Sequence, residues 1–600
     1  MDSLMTTESV EPSANQQTTA WGPELLAGGG ARFRLWAPGE DRLTLRLDGA
    51  DYEMGKAGEG WFEAVIPEVK AGATYAFVLP DGTVVPDPAA RALAEDVHGP
   101  AVLVDPDAYE WRNTGWNGMP WAETILYELH IGTFTPEGTF RAAIDKLADL
   151  AETGITAVEI MPVSQFGGTR GWGYDGVYPY APHNAYGTPD DLKAFIDAAH
   201  GLGLMVYMDV VYNHFGPDGN YLGAYAPDFF REGKKTPWGA AIAYSKDPVR
   251  DFFVGNALYW LREFRIDGLR FDAIDMIFDD AETHVLIEIA RLARSEFQGR
   301  HIHLVTEDPA NHIELRRSDD NEALLYDADW NDDYHHAAHV VATGEKTGYY
   351  GKFIDKPVEN LARALTEGYI FPGQEPVEMS EPMPMEAFVG FLQNHDQIGN
   401  RAFGDRLITL TSKEMLKALT VVTMLAPHIP MLFMGEEYGE TRPFLFFTDY
   451  DGELGKAVRE GRRTDMDNFG GLPEGKSVED VADPNALETM ENTRLDWSKA
   501  ETEEGKVWRA LYRDLIAIRK RAIVPLLLAA PNTLSAGTIL TAEGRRLAID
   551  WQLGDRRLQL RANFGDIPAD LPPATGETLY GEHSTQGMGP HSVLFALDRA

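Results

Sequence analysis

The sequence predicts an α/β protein: a (β/α)8 TIM barrel with an N-terminal β-sandwich and a C-terminal antiparallel β-domain. Three observations support this. From about residue 107, apolar runs of five to eight residues alternate with amphipathic helical segments. Before that point the runs are short, strand-like in composition and closed by Gly, Pro or Asp. A similar group of short runs follows the last helical segment.

Taken in order, residues 1–20 are polar and read as a disordered tail. The first basic residue is Arg32, and no apolar h-region precedes it, so no secretion signal is expected. FRLWAP, LTLRLDG, WFEAVIP and TYAFVLPDG make residues 21–106 a small sandwich. The barrel is assigned to 107–524. One of its repeats is explicit: Thr188 caps a helix, Pro189 takes its first position, and Asp190 and Asp191 favour its positive end. Leu192, Phe195, Ile196 and Ala199 form one buried face, Gly201 and Gly203 stop the helix, and the apolar run Leu204–Val211 follows as a strand covered on both sides. Further units carry Phe253, Ala257, Trp260, Leu261 and Phe264, then AETHVLIEIARLARSEF before HIHLVTED. The segment 508–522 is the last outer helix, and 525–600 the C-terminal β-domain.

Composition narrows the function. With 94 acidic against 53 basic side chains the net charge is −41, which repels nucleic acid and anionic membranes, and no partner of either kind is expected. The absence of cysteine excludes disulfides, thiolate zinc sites and a cysteine nucleophile, and fits a cytoplasmic location. The run Ala418–Gly435 contains Pro427, His428 and Pro430, so it reads as helix into strand rather than a membrane span. A neutral substrate is the natural expectation.

In a barrel, chemistry sits where strands pass into loops. DVVYNH brings Asp209 and His214 there, GLRFDAID brings Arg270 and Asp272, LVTED brings Glu307, and LQNHD brings His395 and Asp396. Any one of these acids could be a turn residue; four strand ends carrying them together make that reading poor. The His301/His303 pair lies at the wrong end of its strand and His335/His336 in a polar stretch, so neither metal nor cofactor is expected. Glycoside hydrolysis needs instead two carboxyl groups across the scissile bond, one protonated and one ionised. Arg270, two residues before Asp272, projects to the same side and would hold that carboxylate anionic, which favours Asp272 as nucleophile.

DVVYNH, GLRFDAID, LVTED and LQNHD, in this order, resemble the four signature regions of the α-amylase superfamily of retaining glycosidases, over about residues 120–440. The resemblance implies Asp272 as nucleophile, Glu307 as general acid/base and Asp396 as transition-state stabiliser. It implies Arg270, Asp209, His214 and His395 as supports of the subsite holding the distorted sugar, and Tyr174 as the aromatic stacked on it. Within the superfamily, ELHIGTFTPEGTF, GPDGNYL, TPWG, DADWNDDYHHAAH, QNHDQIGNRAFGDRL and MGEEYGE resemble the trehalose-releasing branch. Its enzymes cut the α-1,4 bond beside the terminal trehalose of maltooligosyl trehalose and work in tandem with a maltooligosyl trehalose synthase. A branching or debranching enzyme is the alternative on this scaffold, and a non-catalytic sugar binder a third. Asp332, Asp333 and Glu436 or Glu437 are candidates for the leaving-group side, and Trp172, Trp238 and Trp330 for sugar stacking. Asn213 stands where many amylases hold calcium, but a loop hydrogen bond is the preferred reading. TEDPANH departs from the family pattern, which leaves the roles of Asn311 and His312 open.

Overall fold

The computed structural model describes residues 20–311, 325–371, 383–464, 466, 471–473, 475–530, 537–582 and 587–599. Of the expected tail, residues 1–19 lie outside these, as does His312.

Among the described residues, eight parallel strands close into a barrel: β1 (Leu126–Leu129), β2 (Ala157–Ile160), β3 (Met205–Val210), β4 (Gly268–Phe271), β5 (His303–Thr306), β6 (Ala328–Trp330), β7 (Phe388–Phe391) and β8 (Ile429–Phe433). The outer helices are α1 (Phe140–Thr153), α2 (Pro189–Gly201), α3 (Asp247–Glu263), α4 (Val285–Glu296), α5 (Asp332–Thr343), α6 (Pro357–Glu367) and α7 (Lys413–Leu425). After β8 come α8 (Gly452–Thr464) and the long α9 (Glu503–Ala522). Helix α2 forms as its sequence requires. Thr188 Oγ1 accepts from Asp191 N–H and the Asp191 carboxylate accepts from Thr188 N–H, a reciprocal box closing two open donors. Leu192, Phe195, Ile196 and Ala199 are all fully buried. The 418–435 run is a helix passing into a strand, α7 into β8.

The barrel is filled, not hollow. Leu126, Ala157, Met205, Tyr207, Val305, Ala328, Trp330, Val389, Phe391, Ile429 and Met431 form one dry cluster inside it. Glu128 on β1 pairs in register with Glu159 on β2, and Asp209 on β3 with Arg270 on β4. The apolar plug therefore passes into a polar layer near the strand C-termini.

The sandwich is made of two sheets, one around Ala31–Trp36 and Trp61–Ile66, the other around Thr44–Leu47 and Thr74–Val78. It docks on the barrel through Trp21, whose ring meets Trp36 and Trp61 on one side and Phe252 of α3, at 5.0 Å, on the other. Five antiparallel strands lie C-terminal to the barrel, and Trp551 donates from Nε1 to the Leu365 carbonyl of α6 at 2.8 Å. No helix among the described residues is long and apolar enough to cross a membrane.

Candidate active site

A cleft of about 600 Å³ opens at the C-terminal ends of the strands, and Asp272, Glu307 and Asp396 all line it. Each hangs from the residues just beyond a strand. Asp272 N–H donates to the Val210 carbonyl, and Glu307 N–H to the Phe271 carbonyl, which carries the ladder one residue past β4 and β5. Asn394 caps the short helix His395–Gly399, accepting from Asp396 N–H at 2.9 Å.

Arg270 is the hub. Its Nη1 donates to Asp209 Oδ2 at 2.5 Å and Asp272 Oδ1 at 2.9 Å, and its Nη2 stands 3.6 Å from Glu307 Oε2. Burial works against the guanidinium charge, but Asp209, Tyr174, Asp272 and Glu307 outweigh it and hold the pKa well above the ordinary arginine value. Beneath it the Trp330 ring lies 4.2 Å away. Asp272 receives a second donor, Asn213 Nδ2, at 2.9 Å. Asn213 thus spends its amide on this carboxylate.

Glu307 is treated differently from Asp272. Burial, with Asp272, Asp332 and Asp396 nearby, pushes its carboxyl well above the usual range, although Arg270 opposes the shift. Its Oε2 accepts from Ala273 N–H at 2.7 Å. Ala273 adopts φ +40°, a left-handed conformation costly for an L-residue, and this turn accompanies the aim of its N–H at Glu307. The Asp396 side chain is 44% exposed, against 14% for Asp272 and 11% for Glu307, so it presents an open face to a ligand.

Tyr174 lines the cleft, with its hydroxyl donating to Asp209 Oδ2 at 2.6 Å and its ring stacked on His395 at 5.0 Å. Gly173 before it has φ +104°, and a Cβ there would drive into the Pro162 carbonyl, so presenting Tyr174 requires glycine. Burial pushes the Asp209 carboxyl up to about 6 against the pull of Arg270. His395 donates from Nδ1 to Glu128 at 2.5 Å; burial alone would depress its pKa, but Glu128 and Asp396 keep it above the ordinary value. His214 is pushed down to about 4 by burial and stacks on the ring of Trp238, a residue 52% exposed at the cleft wall.

The leaving-group candidates separate. Asp332 lines the cleft, accepts from Gln397 Nε2 at 2.9 Å, and is pushed up to about 7 by burial and then by Asp396. Asp333 and Glu436 do not line it. Asp333 accepts from Ile370 N–H at 2.7 Å, Phe371 N–H at 2.9 Å and Asn311 Nδ2 at 3.2 Å, so it fixes a loop. Glu436 accepts from Phe433 N–H behind β8, and Glu437 accepts from Tyr127 Oη at 3.0 Å. Asn311 divides its amide between Asp333 and the Phe371 carbonyl. Of the tryptophans, Trp172 lines the cleft with its ring against Phe444, while Trp330 is buried under Arg270. Among the described residues no group of three or more His, Asp or Glu could hold a metal ion.

Sequence reasoning missed Glu128, the anchor of His395; the backbone of Ala273; and Gln397 and Asn400, which line the cleft. It also missed α8, which contributes Val458, Gly461 and Arg462 to the wall. Glu128 left a legible signal, an acid inside the otherwise apolar strand of ILYELH, and Gln397 and Asn400 fall within the quoted QNHDQIGNRAFGDRL.

A family model of the α-amylase catalytic domain matches residues 105–254, and one described as a domain of unknown function (DUF3459) matches 534–595. The chain is 42% identical over 521 residues to the malto-oligosyltrehalose trehalohydrolase of Deinococcus radiodurans, covering 85% of this chain and 84% of that protein. It is 39% identical over 600 residues to the enzyme of the same name from Rhizobium sp. strain M-11, covering 95% and 97%. A candidate α-amylase from Salmonella typhimurium superposes with a TM-score of 0.92 at 51% identity, covering 97% of this chain and 100% of that one. A pullulanase from Paenibacillus barengoltzii, at 19% identity and a TM-score of 0.68 over 97% and 95%, shares the fold alone.

Proposed function

The chain belongs to the malto-oligosyltrehalose trehalohydrolase family, and from that premise we propose that it hydrolyses the α-1,4 bond beside the terminal trehalose of maltooligosyl trehalose with net retention. Asp272 attacks the anomeric carbon as Glu307 gives its proton to the glycosidic oxygen; free trehalose leaves and a covalent glycosyl ester of Asp272 remains. Glu307, now a carboxylate, takes a proton from water, whose oxygen displaces Asp272 and restores the α-anomer. Asp396 and His395 bind the hydroxyls of the distorted sugar, His214 and Tyr174 flank it, and Asp209 with Arg270 fixes the nucleophile. Asp332 and Gln397 bind the departing disaccharide.

The observation that carries this reading is the unequal fate of two carboxyls sharing one guanidinium. Asp272 is met by two donors, whereas burial among acids favours the protonated form of Glu307. On this reading the protein works in the cytoplasm after a maltooligosyl trehalose synthase, and its cysteine-free, strongly acidic chain supports that.

The test is a chromatogram of products from maltotriosyl trehalose and from a maltooligosaccharide of equal length. Trehalose release should exceed cleavage of the plain chain by about 100-fold, because a site that hydrogen-bonds trehalose leaves its partners unpaired around maltose. Equal rates, or α-1,6-branched product, would overturn the reading.

A further inference from the structure

Below the cleft, Glu159 Oε1 and Oε2, Asp209 Oδ1 and Arg270 Nε are buried and lack a hydrogen-bond partner among the described residues, as does Nε1 of Trp330 beneath Arg270. Glu159, Asp209 and Arg270 are exposed by only 1%, 3% and 1%. None of the three lines the cleft. Orphans of this kind are rare, and several on neighbouring strands call for a common explanation. Glu159 sits on β2 between Glu128 on β1 and Tyr207 on β3, and the charges it feels are those of Asp209, Arg270 and Glu128.

The donor and acceptor inventory points to one solution. An ionised Glu159 could accept from Arg270 Nε but would face Asp209 Oδ1 as a second anion with no proton between them. A neutral carboxylic acid brings one donor for Asp209 Oδ1 and one acceptor that a bridging water joins to Arg270 Nε. Asp209 Oδ2 is already occupied by Tyr174 and Arg270 Nη1, so its other oxygen is the one left for Glu159.

We propose that Glu159 is a positioning residue for the reaction: as a neutral acid it donates to Asp209 Oδ1 and joins Arg270 Nε through one internal water, and so locks the guanidinium that aims Asp272 and Glu307. Burial, then Asp209, favours this neutral form, against Arg270. Glu159 touches neither substrate nor reacting atom; it acts through Arg270. A misdirected guanidinium loosens two carboxyls at once, and small displacements in such a set lower turnover by about 100-fold.

The inference rests on the glycosidase reading of Asp272 and Glu307, and its test separates the two. Infrared difference spectra of wild type against Glu159→Gln at neutral pH need no turnover; the carbonyl stretch of a protonated carboxylic acid should vanish in the variant. Loss of a carboxylate band instead overturns the proposal. In kinetics with maltooligosyl trehalose, Glu159→Leu should lower kcat about 100-fold with KM changed under about threefold, while Glu159→Gln, which keeps a donor and an acceptor, stays within about tenfold of wild type. A kcat in Glu159→Leu within about threefold of wild type also overturns it. If Glu159→Leu does not fold, the infrared comparison decides. Wild type inactive on this substrate would refute the functional reading and leave the infrared result standing.

Discussion

The two ends of the barrel both bury acids, and the protein treats them in opposite ways. At the N-terminal end, just before β4, Asp267 is fully buried and accepts from Trp116 Nε1, His200 Nε2 and Val206 N–H, each at 2.9 Å. Before β6, Asp327 accepts from Arg294 at 2.5 Å and Leu304 N–H at 2.9 Å. Burial opposes its ionisation, yet Arg294, His303 and the Leu304 amide hold its pKa well below the usual carboxylate range. At the C-terminal end, Glu307 has one close backbone donor, and Glu159 and Asp209 retain unpartnered oxygens. The difference teaches that donor supply, not burial, decides whether an acid here is a structural tie or a chemical tool. A saturated carboxylate stabilises the fold at every working pH, whereas an undersupplied one keeps a proton to give.

The largest effect should come from the C-terminal end. Asp272→Asn and Glu307→Gln should each lower kcat by about 10⁴-fold with the fold intact, because an amide neither attacks the anomeric carbon nor delivers the proton. Asp396→Asn should fall comparably. Steady-state rates on maltooligosyl trehalose check this, and a loss under about tenfold would break the contrast.

The N-terminal end should respond in stability instead. Asp267→Ala strips the acceptor from His200, Trp116 and Val206, and removing one member of such a buried network costs about 3–5 kcal/mol. Thermal unfolding should begin several degrees lower, while kcat of the folded enzyme at 25 °C changes under about twofold.

The smallest effect sharpens the comparison through pH. Because the folded-state pKa of Glu307 is raised, the folded protein holds a proton that the unfolded chain releases above the ordinary range near 4.5. Stability therefore falls as pH rises from there towards the folded value. Glu307→Gln lacks that loss, so it should melt a few degrees higher than wild type at pH 7 and at the same temperature near pH 4. For Asp327 the sign reverses: its contribution is present above the unfolded carboxylate value and disappears as pH falls through the depressed one.

The architecture was legible in the sequence wherever it rests on local periodicity. The Thr188 cap, the buried face of α2 and the turn from α7 into β8 follow from neighbours within a few residues. Asp272, Glu307 and Asp396 stood out because strand ends concentrate function. The supporting contacts did not, since they join distant positions: Glu128 meets His395 across 267 residues, and α8 reaches the cleft from beyond β8. Asp332 and Asp333 show the limit most clearly. They are adjacent and chemically alike, yet the helical turn sends one into the cleft and the other to the amides of Ile370 and Phe371. Neighbouring acids in a sequence cannot disclose which of them will meet donors.

In the proposed double displacement Asp272 attacks the carbon of the bond whose oxygen Glu307 protonates. Time-resolved NMR of the first turnovers on maltooligosyl trehalose tests it directly, because trehalose has no reducing end and every new reducing-end anomeric signal comes from the cleaved chain. Double displacement predicts the α-anomer first, with the β-anomer growing only at the rate of mutarotation. Appearance of the β-anomer first would mean a single displacement by water, and Asp272 would not be the nucleophile.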